Sequence, residues 1–309
     1  MNNPELYPPL IHEPVWGEIN GRSEALGFIT RTLQAYDLTA TFFVEAVHTR
    51  HFGVDPMKRY TDHLLASHQD VQLHIHPVWL NFDKSKRADV RYNDDCSALP
   101  ESFLTELIVS GCAQIEQWTG NRPVALRTGN FSAAPVVYKA MRSAGLVLGS
   151  NVCIACESYP VPSLNRSGGA HLIEGIWELP AASFMDKPLH MRRRYRAAQI
   201  TACTAGELRE ILDQCYSQSA SVVVIVTHPF EFIKKSNYRY ASLRPNRMVQ
   251  GRLEKLCKYL KDNEDRFDVT SFADLAEKKS IKEQPEPLLE STVTKSLFRA
   301  GQNFINDRI

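Results

Sequence analysis

His74 and His76 stand two residues apart, at the end of a short apolar run and directly before a proline, in Val71-Gln72-Leu73-His74-Ile75-His76-Pro77-Val78-Trp79. Side chains at i and i+2 of a strand leave the same face. Both imidazoles can therefore meet one cation, and imidazole is a favoured ligand of zinc and similar ions. The alternative is a pair of half-exposed histidines beside a turn. Two other apolar runs end in the same manner. Val124-Ala125-Leu126 leads into Arg127-Thr128-Gly129, and Val222-Val223-Val224-Ile225-Val226-Thr227 leads into His228-Pro229. Taken singly, Arg127 fits a surface ion pair and His228 fits a strand-end cap. Taken jointly, they place polar groups where strands meet turns. In a parallel α/β barrel those strand ends share one rim, where active sites sit.

The elements that must position these groups alternate along the chain. Residues 23–36 carry Leu26, Ile29 and Leu33 at helical spacing, and 39–45 read as a strand. Residues 55–67 look helical and lead into the histidine strand. Residues 100–118 form a long amphipathic helix (Leu104, Leu107, Ile108, Ile115), stopped by Thr119-Gly120. Another helix covers 134–144, a strand covers 176–180, and a helix covers 207–218. The run from Val222 predicts a strand buried on both faces, as in a parallel sheet or barrel. A last helix of the main domain spans 247–261. Helix and strand in alternation predict an α/β fold with mostly parallel strands.

Composition sets wide limits. The chain has 309 residues, 43% hydrophobic and 23% charged, with a formal net charge of +1. That balance gives no reason to expect nucleic acid or an acidic membrane surface as partner. Basic residues concentrate locally at 192–196, where Arg192 is a candidate contact for a phosphate or an acidic sugar; a solvated loop is the alternative. The seven cysteines have no framework spacing, and Cys153-Ile154-Ala155-Cys156 is a lone pair that reads as two structural thiols. No basic-then-apolar leader opens the sequence and no run is long enough to span a bilayer, so a cytoplasmic location is expected.

Several of these stretches resemble one family in order. Asp37-Leu38-Thr39-Ala40-Thr41-Phe42-Phe43-Val44 resembles the second-strand signature of the polysaccharide deacetylases, the NodB-homology domain of carbohydrate esterase family 4. His68 to Pro77 resembles its metal-binding histidine motif. Arg127-Thr128-Gly129-Asn130-Phe131 resembles its arginine motif, Ile176-Trp177-Glu178-Leu179-Pro180 its tryptophan-bearing strand, and Val226-Thr227-His228-Pro229 its closing histidine motif. The resemblance covers residues 25 to 276 and implies a distorted (β/α) barrel with fewer than eight regular strands. It implies metal-dependent removal of an acyl group, N-acetyl above all, from an amino sugar or polysaccharide precursor.

In that reading His74 and His76 hold a divalent ion, zinc by preference. A carboxylate takes the proton of a metal-activated water, and His228 donates to the departing amine. Arg127 orients the carboxylate, while Trp79, Asn130, Trp177 and Arg192 contact the saccharide. The chain departs from the family pattern in two places. The acidic first strand is not evident, and the carboxylate candidates are Glu13, Glu18, Asp94 and Asp95. The histidines are two apart rather than four, with Val78 at the fourth position, a form found in relatives adapted to surface-polysaccharide biosynthesis. Two other readings stand beside this one: a degenerate relative that binds a saccharide or partner without turnover, and an amidohydrolase-type metal hydrolase.

The expected organisation is a deacetylase-like domain at 1–276, a charged, proline-containing linker at 277–288, and a C-terminal amphipathic helix at 289–309. Leu289, Val293, Leu297, Phe298 and Phe304 fall near one face of that helix. The face predicts packing on its own domain or on a second copy of the chain.

Overall fold

Short apolar runs alternating with amphipathic segments fold into a mixed α/β architecture built on a parallel sheet. The computed structural model describes residues 11–82, 92–187, 193–278, 281–283 and 286–308. Six strands form the main sheet: β1 (Thr41–Glu45), β2 (Asp70–Ile75), β3 (Ala125–Thr128), β4 (Leu148–Gly149), β5 (His171–Ile173) and β6 (Ile176–Glu178). Their order is β1-β2-β3-β4-β6-β5. The first four pairings are parallel, and β5 joins β6 as an antiparallel edge. Glu174 and Gly175 turn that edge hairpin with φ of 50° and 86°, the backbone that a two-residue hairpin requires.

Eight helices are labelled here: α1 (Leu26–Ala35), α2 (Asp55–Ala66), α3 (Glu101–Thr119), α4 (Pro135–Ser143), α5 (Ala205–Ser217), α6 (Arg247–Asp262), α7 (Phe272–Lys278) and α8 (Val293–Arg308). Gly120 ends α3 in the left-handed conformation at φ 76°, and a capping box of Thr204 and Glu207 starts α5. Alternation along the strands sorts the side chains. Val44, Val71, Leu73, Ile75 and Leu126 pack outward with Tyr60, Leu64, Leu104, Leu107 and Ile108 of the covering helices. Gly111 lets α3 approach this closely, since a Cβ there would stand 2.8 Å from Leu73 Cδ1. A second core joins α1, α5 and α6 through Phe28, Ile29, Leu33, Leu208, Ile211, Val249 and Leu253.

The inward face of β1 to β3 is polar towards its carboxyl end. Glu45, His74 and Arg127 are register partners, one row across three strands. At the opposite end α7 closes the sheet: the Phe272 N–H donates to Thr41 Oγ1 at 2.9 Å, and Thr41 Oγ1–H to Asp70 Oδ2 at 2.7 Å.

One expectation changes here. The run from Val222 is not a regular strand buried on both faces. It makes single parallel bridges, Val224 with Ala181 and Val226 with Gln199, and only Val226 in it is fully buried. Among the described residues no segment before Thr41 joins the main sheet; residues 18–19 and 22–23 form their own small hairpin. The run and β1 thus each have an edge without a ladder, which is why both are half-buried and why no closed barrel forms among the described residues.

The C-terminal segment docks by its polar side, which leaves the apolar face free of its own domain. Leu289 precedes α8 and is buried in the second core. The docked side of α8 is polar: Arg299 pairs with Asp186 and Glu207, and Ser296 donates to Asp186. Val293, Leu297, Phe298 and Phe304 are instead largely exposed. The preceding linker is anchored too, because Glu286 accepts hydrogen bonds from Arg166 and Ser167.

Candidate metal and catalytic centre

The strand β2 delivers His74 at its end, and His76 follows just beyond it. Their rings meet edge to face, with centroids 4.7 Å apart. His74 Nδ1–H donates to the Arg127 carbonyl at 2.6 Å, and His76 Nδ1–H to Asp94 Oδ2 at 2.7 Å. A carbonyl oxygen only accepts, so the first bond fixes the tautomer of His74; the ionised Asp94 does the same for His76. Each Nε2 then carries the lone pair, and neither has a hydrogen-bond partner among the described residues. Orientation of Nδ1 by a carbonyl or carboxylate is how proteins prepare histidine to ligate a metal. Burial, and next the neighbouring His76, lower the pKa of His74 to about 3, so its imidazole stays neutral.

A loop of unusual backbone supports His76. Asn130 and Phe131 both take left-handed conformations, at φ 53° and 54°. Asn130 Nδ2 donates to Asp94 Oδ2 at 2.9 Å and to the Asp94 carbonyl at 3.0 Å. Burial alone would raise the Asp94 carboxyl, but His76, the Val78 N–H and Asn130 outweigh it and hold Asp94 below the usual carboxylate range. Gly129 lies against the imidazole, where a Cβ would fall 2.3 Å from His76 Nδ1. Asn130 therefore steadies the histidine's carboxylate, and its amide is engaged there.

Arg127 occupies the neighbouring strand end. Its guanidinium donates to the Ser150 carbonyl at 3.2 Å and hydroxyl at 2.8 Å, and lies 4.4 Å over the Phe43 ring. Burial lowers its pKa to about 10, which leaves it charged at neutral pH. Among the described residues its side chain makes no bond to a carboxylate; Arg127 braces the Ser150 turn, and its backbone oxygen orients His74. His228 lies close enough for its charge to disfavour protonation of His74. Its side chain is 50% exposed, and Nδ1–H donates to Glu231 Oε1 at 2.9 Å. Glu231 is buried and also accepts from Thr227 Oγ1 at 2.7 Å.

The four carboxylate candidates separate clearly. Asp94 meets the site. Asp95 accepts from the Ser97 N–H at 2.8 Å and caps a short 3-10 turn. Glu13 and Glu18 belong to the N-terminal periphery, where Glu18 pairs with His12 at 3.9 Å. Trp79 follows the histidines on a 3-10 helix and packs edge-on against His48 and Phe52. Trp177 is register partner of Leu148, which pairs with Ala125, two residues below Arg127 on the same face. It packs with Phe272 of α7 in the floor of the sheet, so it does not wall the rim. Arg192 lies outside the described residues.

Two site groups escaped sequence reading. Glu231 carries a faint signal, three residues after His228 on a turn that begins with proline. Ser150 carries none. As a metal site the donor set is two prepared imidazoles, and among the described residues no group of three or more His, Cys, Asp or Glu side chains is placed to hold an ion. The imidazole pair fits a divalent cation as half of its coordination.

No family model matches the chain, and no curated protein matches it by sequence. Solved structures do. A putative polysaccharide deacetylase from Mycobacterium smegmatis superposes with a TM-score of 0.52 over 85% of this chain and 80% of its own, at 14% identity. The peptidoglycan deacetylase PdaC of Bacillus subtilis covers 82% of this chain and 83% of its own at 14% identity, TM-score 0.39. A CE4 family pseudoenzyme from Bacillus anthracis covers 80% of this chain and 59% of its own at 13% identity, TM-score 0.42. The likeness to the mycobacterial protein is one of fold: the chain has the polysaccharide deacetylase fold.

Proposed function

We propose that this chain is a metal-dependent hydrolase that removes an acyl group, N-acetyl in the first instance, from an amino sugar of a surface-polysaccharide precursor. The observation that carries this is the convergence of His74 and His76, each locked through Nδ1 and open at Nε2, beside the His228–Glu231 pair. His74 and His76 would hold a divalent ion, zinc by its affinity for imidazole; bound there, it would lower the pKa of a water and polarise the acyl carbonyl.

The chain's own residues supply the rest. Asp94 and the Arg127 carbonyl keep both rings in register. Glu231 holds the proton of His228 on Nδ1 and fixes the orientation of the ring. His228 Nε2 then faces outward as the donor for a departing amine, a role worth roughly 10²- to 10⁴-fold in rate.

The test is metal content of the purified protein by elemental analysis, beside acetate release from N-acetylated amino-sugar oligosaccharides. His74→Ala with His76→Ala should lose the metal and the activity together. His228→Ala should keep the metal and lose turnover. A metal-free wild type that retains saccharide without releasing acetate would refute the hydrolase and assign a binding role.

A further inference from the structure

Seven cysteines are present and six are buried; five of these, Cys96, Cys112, Cys203, Cys215 and Cys257, have no cysteine partner. Burial pushes Cys96, Cys203, Cys215 and Cys257 up to about 12 and Cys112 to about 11, so these thiols are inert. Cys153 and Cys156 differ. They flank a tight turn just after β4, closed by the Cys156 N–H on the Cys153 carbonyl at 2.9 Å and the Glu157 N–H on the same oxygen at 3.0 Å. The turn brings the two sulfurs to 3.1 Å, with Cys153 buried and Cys156 exposed to solvent. Two structural thiols would both be buried; here one faces the medium.

We propose that Cys153 and Cys156 form a redox-active dithiol, which closes to a disulfide by exchange with a small disulfide such as oxidised glutathione. The geometry divides the roles. The S–H of Cys156 stabilises charge on Cys153, and with Ser183 and the turn's backbone N–H groups it lowers Cys153 to about 7. The second proton of the pair is correspondingly harder to remove.

A small disulfide reaches only the exposed sulfur. The pair releases its first proton as one unit, with the remaining S–H shared across the 3.1 Å contact, and the exposed Cys156 sulfur is the one that attacks. Its sulfur bonds to one sulfur of the small disulfide, and the other leaves as thiolate and takes a proton. The buried Cys153 sulfur then passes its proton to solvent and attacks Cys156 Sγ, expelling the second small thiolate. The pair is oxidised by two electrons and the small disulfide is reduced to two thiols.

The pair also has a mechanical connection to the loop described above. The Cys153 N–H donates to Tyr159 Oη at 2.9 Å, and that hydroxyl donates to the Phe131 carbonyl at 2.9 Å.

The experiment is equilibration of the native protein with oxidised glutathione, then alkylation, intact mass and peptide mapping. The expected result is a 153–156 peptide lighter by two hydrogens and closed to alkylation, restored by dithiothreitol. Cys153→Ser should instead accumulate glutathione on Cys156. A wild type whose two thiols both remain alkylatable after equilibration would overturn the proposal, and so would one that keeps glutathione on Cys156 unresolved. The wild-type measurement decides even if the variant folds poorly.

Discussion

Gly129→Ala is the sharpest perturbation of the candidate centre, because it adds one carbon at a known place. The Cβ would lie 2.3 Å from His76 Nδ1, 2.5 Å from Cε1 and 2.8 Å from Cγ. Ordinary carbon contacts are about 3.5 Å, so the overlap is about 1 Å. Gly129 has no positive φ, so alanine fits its backbone and the whole penalty is steric. The obstacle is the ring itself rather than a flexible tip, and relief needs the imidazole to swing by roughly that 1 Å. A 2.7 Å bond to Asp94 does not survive such a swing. Losing an orienting partner of a ligating histidine typically costs 10- to 100-fold in metal affinity, or about 1.4–2.8 kcal/mol. Zinc titration of metal-free protein, with far-UV dichroism to show an intact fold, reads this directly. Asp94→Asn should fall in the same range without added bulk. A Gly129→Ala protein that binds zinc as tightly as wild type would refute the claim that the position of His76 is set by this glycine.

Three further outcomes follow from the same contacts. Glu231→Gln should retain metal yet lower kcat by up to the roughly 10²- to 10⁴-fold that a positioned general acid is worth, since the carboxylate that orients the His228 ring is gone; an unchanged kcat would show that Glu231 only packs. Arg299→Met leaves the buried Glu207 without its cation and Asp186 with Arg196 alone, and should cost about 3–5 kcal/mol in urea unfolding; a loss below about 1 kcal/mol would show α8 to be held otherwise. Burial opposes ionisation of Asp186, but Arg299, Ser296 and Arg196 outweigh it and bring it to about 2. With its folded pKa depressed, Asp186 contributes about 2 kcal/mol above pH ~4, and the contribution fades as pH falls towards 2. The stability gap between wild type and Asp186→Asn should therefore narrow in acid, and a pH-independent gap would contradict the assignment.

The parts legible in sequence are those where local pattern and burial agree. The helix over 100–118 is found at Glu101–Thr119, ended by the glycine that reads as its stop. His74 and His76 were visible because period-two spacing before a proline has one geometric meaning. The run from Val222 misled, because six apolar or β-branched residues report a buried chain but not which edges find ladder partners. Trp177 misled for a related reason. Its distance along its own strand is legible, but its level relative to Arg127 depends on the register of β4 and β6. On α8 the apolar stripe is legible but the polar docking side is not, since Arg299 finds its carboxylates on segments about a hundred residues earlier. Asp94 was legible only as an acid in a polar loop. Its bond to His76 depends on the turn at Asn130 and Phe131, whose left-handed backbone has no glycine to announce it.

The histidines of this region share one chemical arrangement, with Nδ1 engaged by an oxygen in each. His74 gives Nδ1–H to a backbone carbonyl, His76 to Asp94, and His228 to Glu231. His48, packed behind Trp79, takes the same bond to Glu45 at 2.8 Å but is fully buried. In each case the partner consumes the nitrogen nearer the backbone and leaves Nε2, the more distant one, as the group that can act. The carboxylates Asp94, Glu231 and Glu45 are therefore spent as orienting groups. Replacing any of them by the amide should change what its histidine does before it changes whether the protein folds. In the proposed mechanism His74, His76 and His228 carry ligation and proton transfer, and His48, screened by Trp79, is the internal control: Glu45→Gln should shift stability while leaving metal affinity and kcat unmoved. If it moved both, the centre would extend beneath Trp79 and the division between ligating and supporting histidines would be wrong.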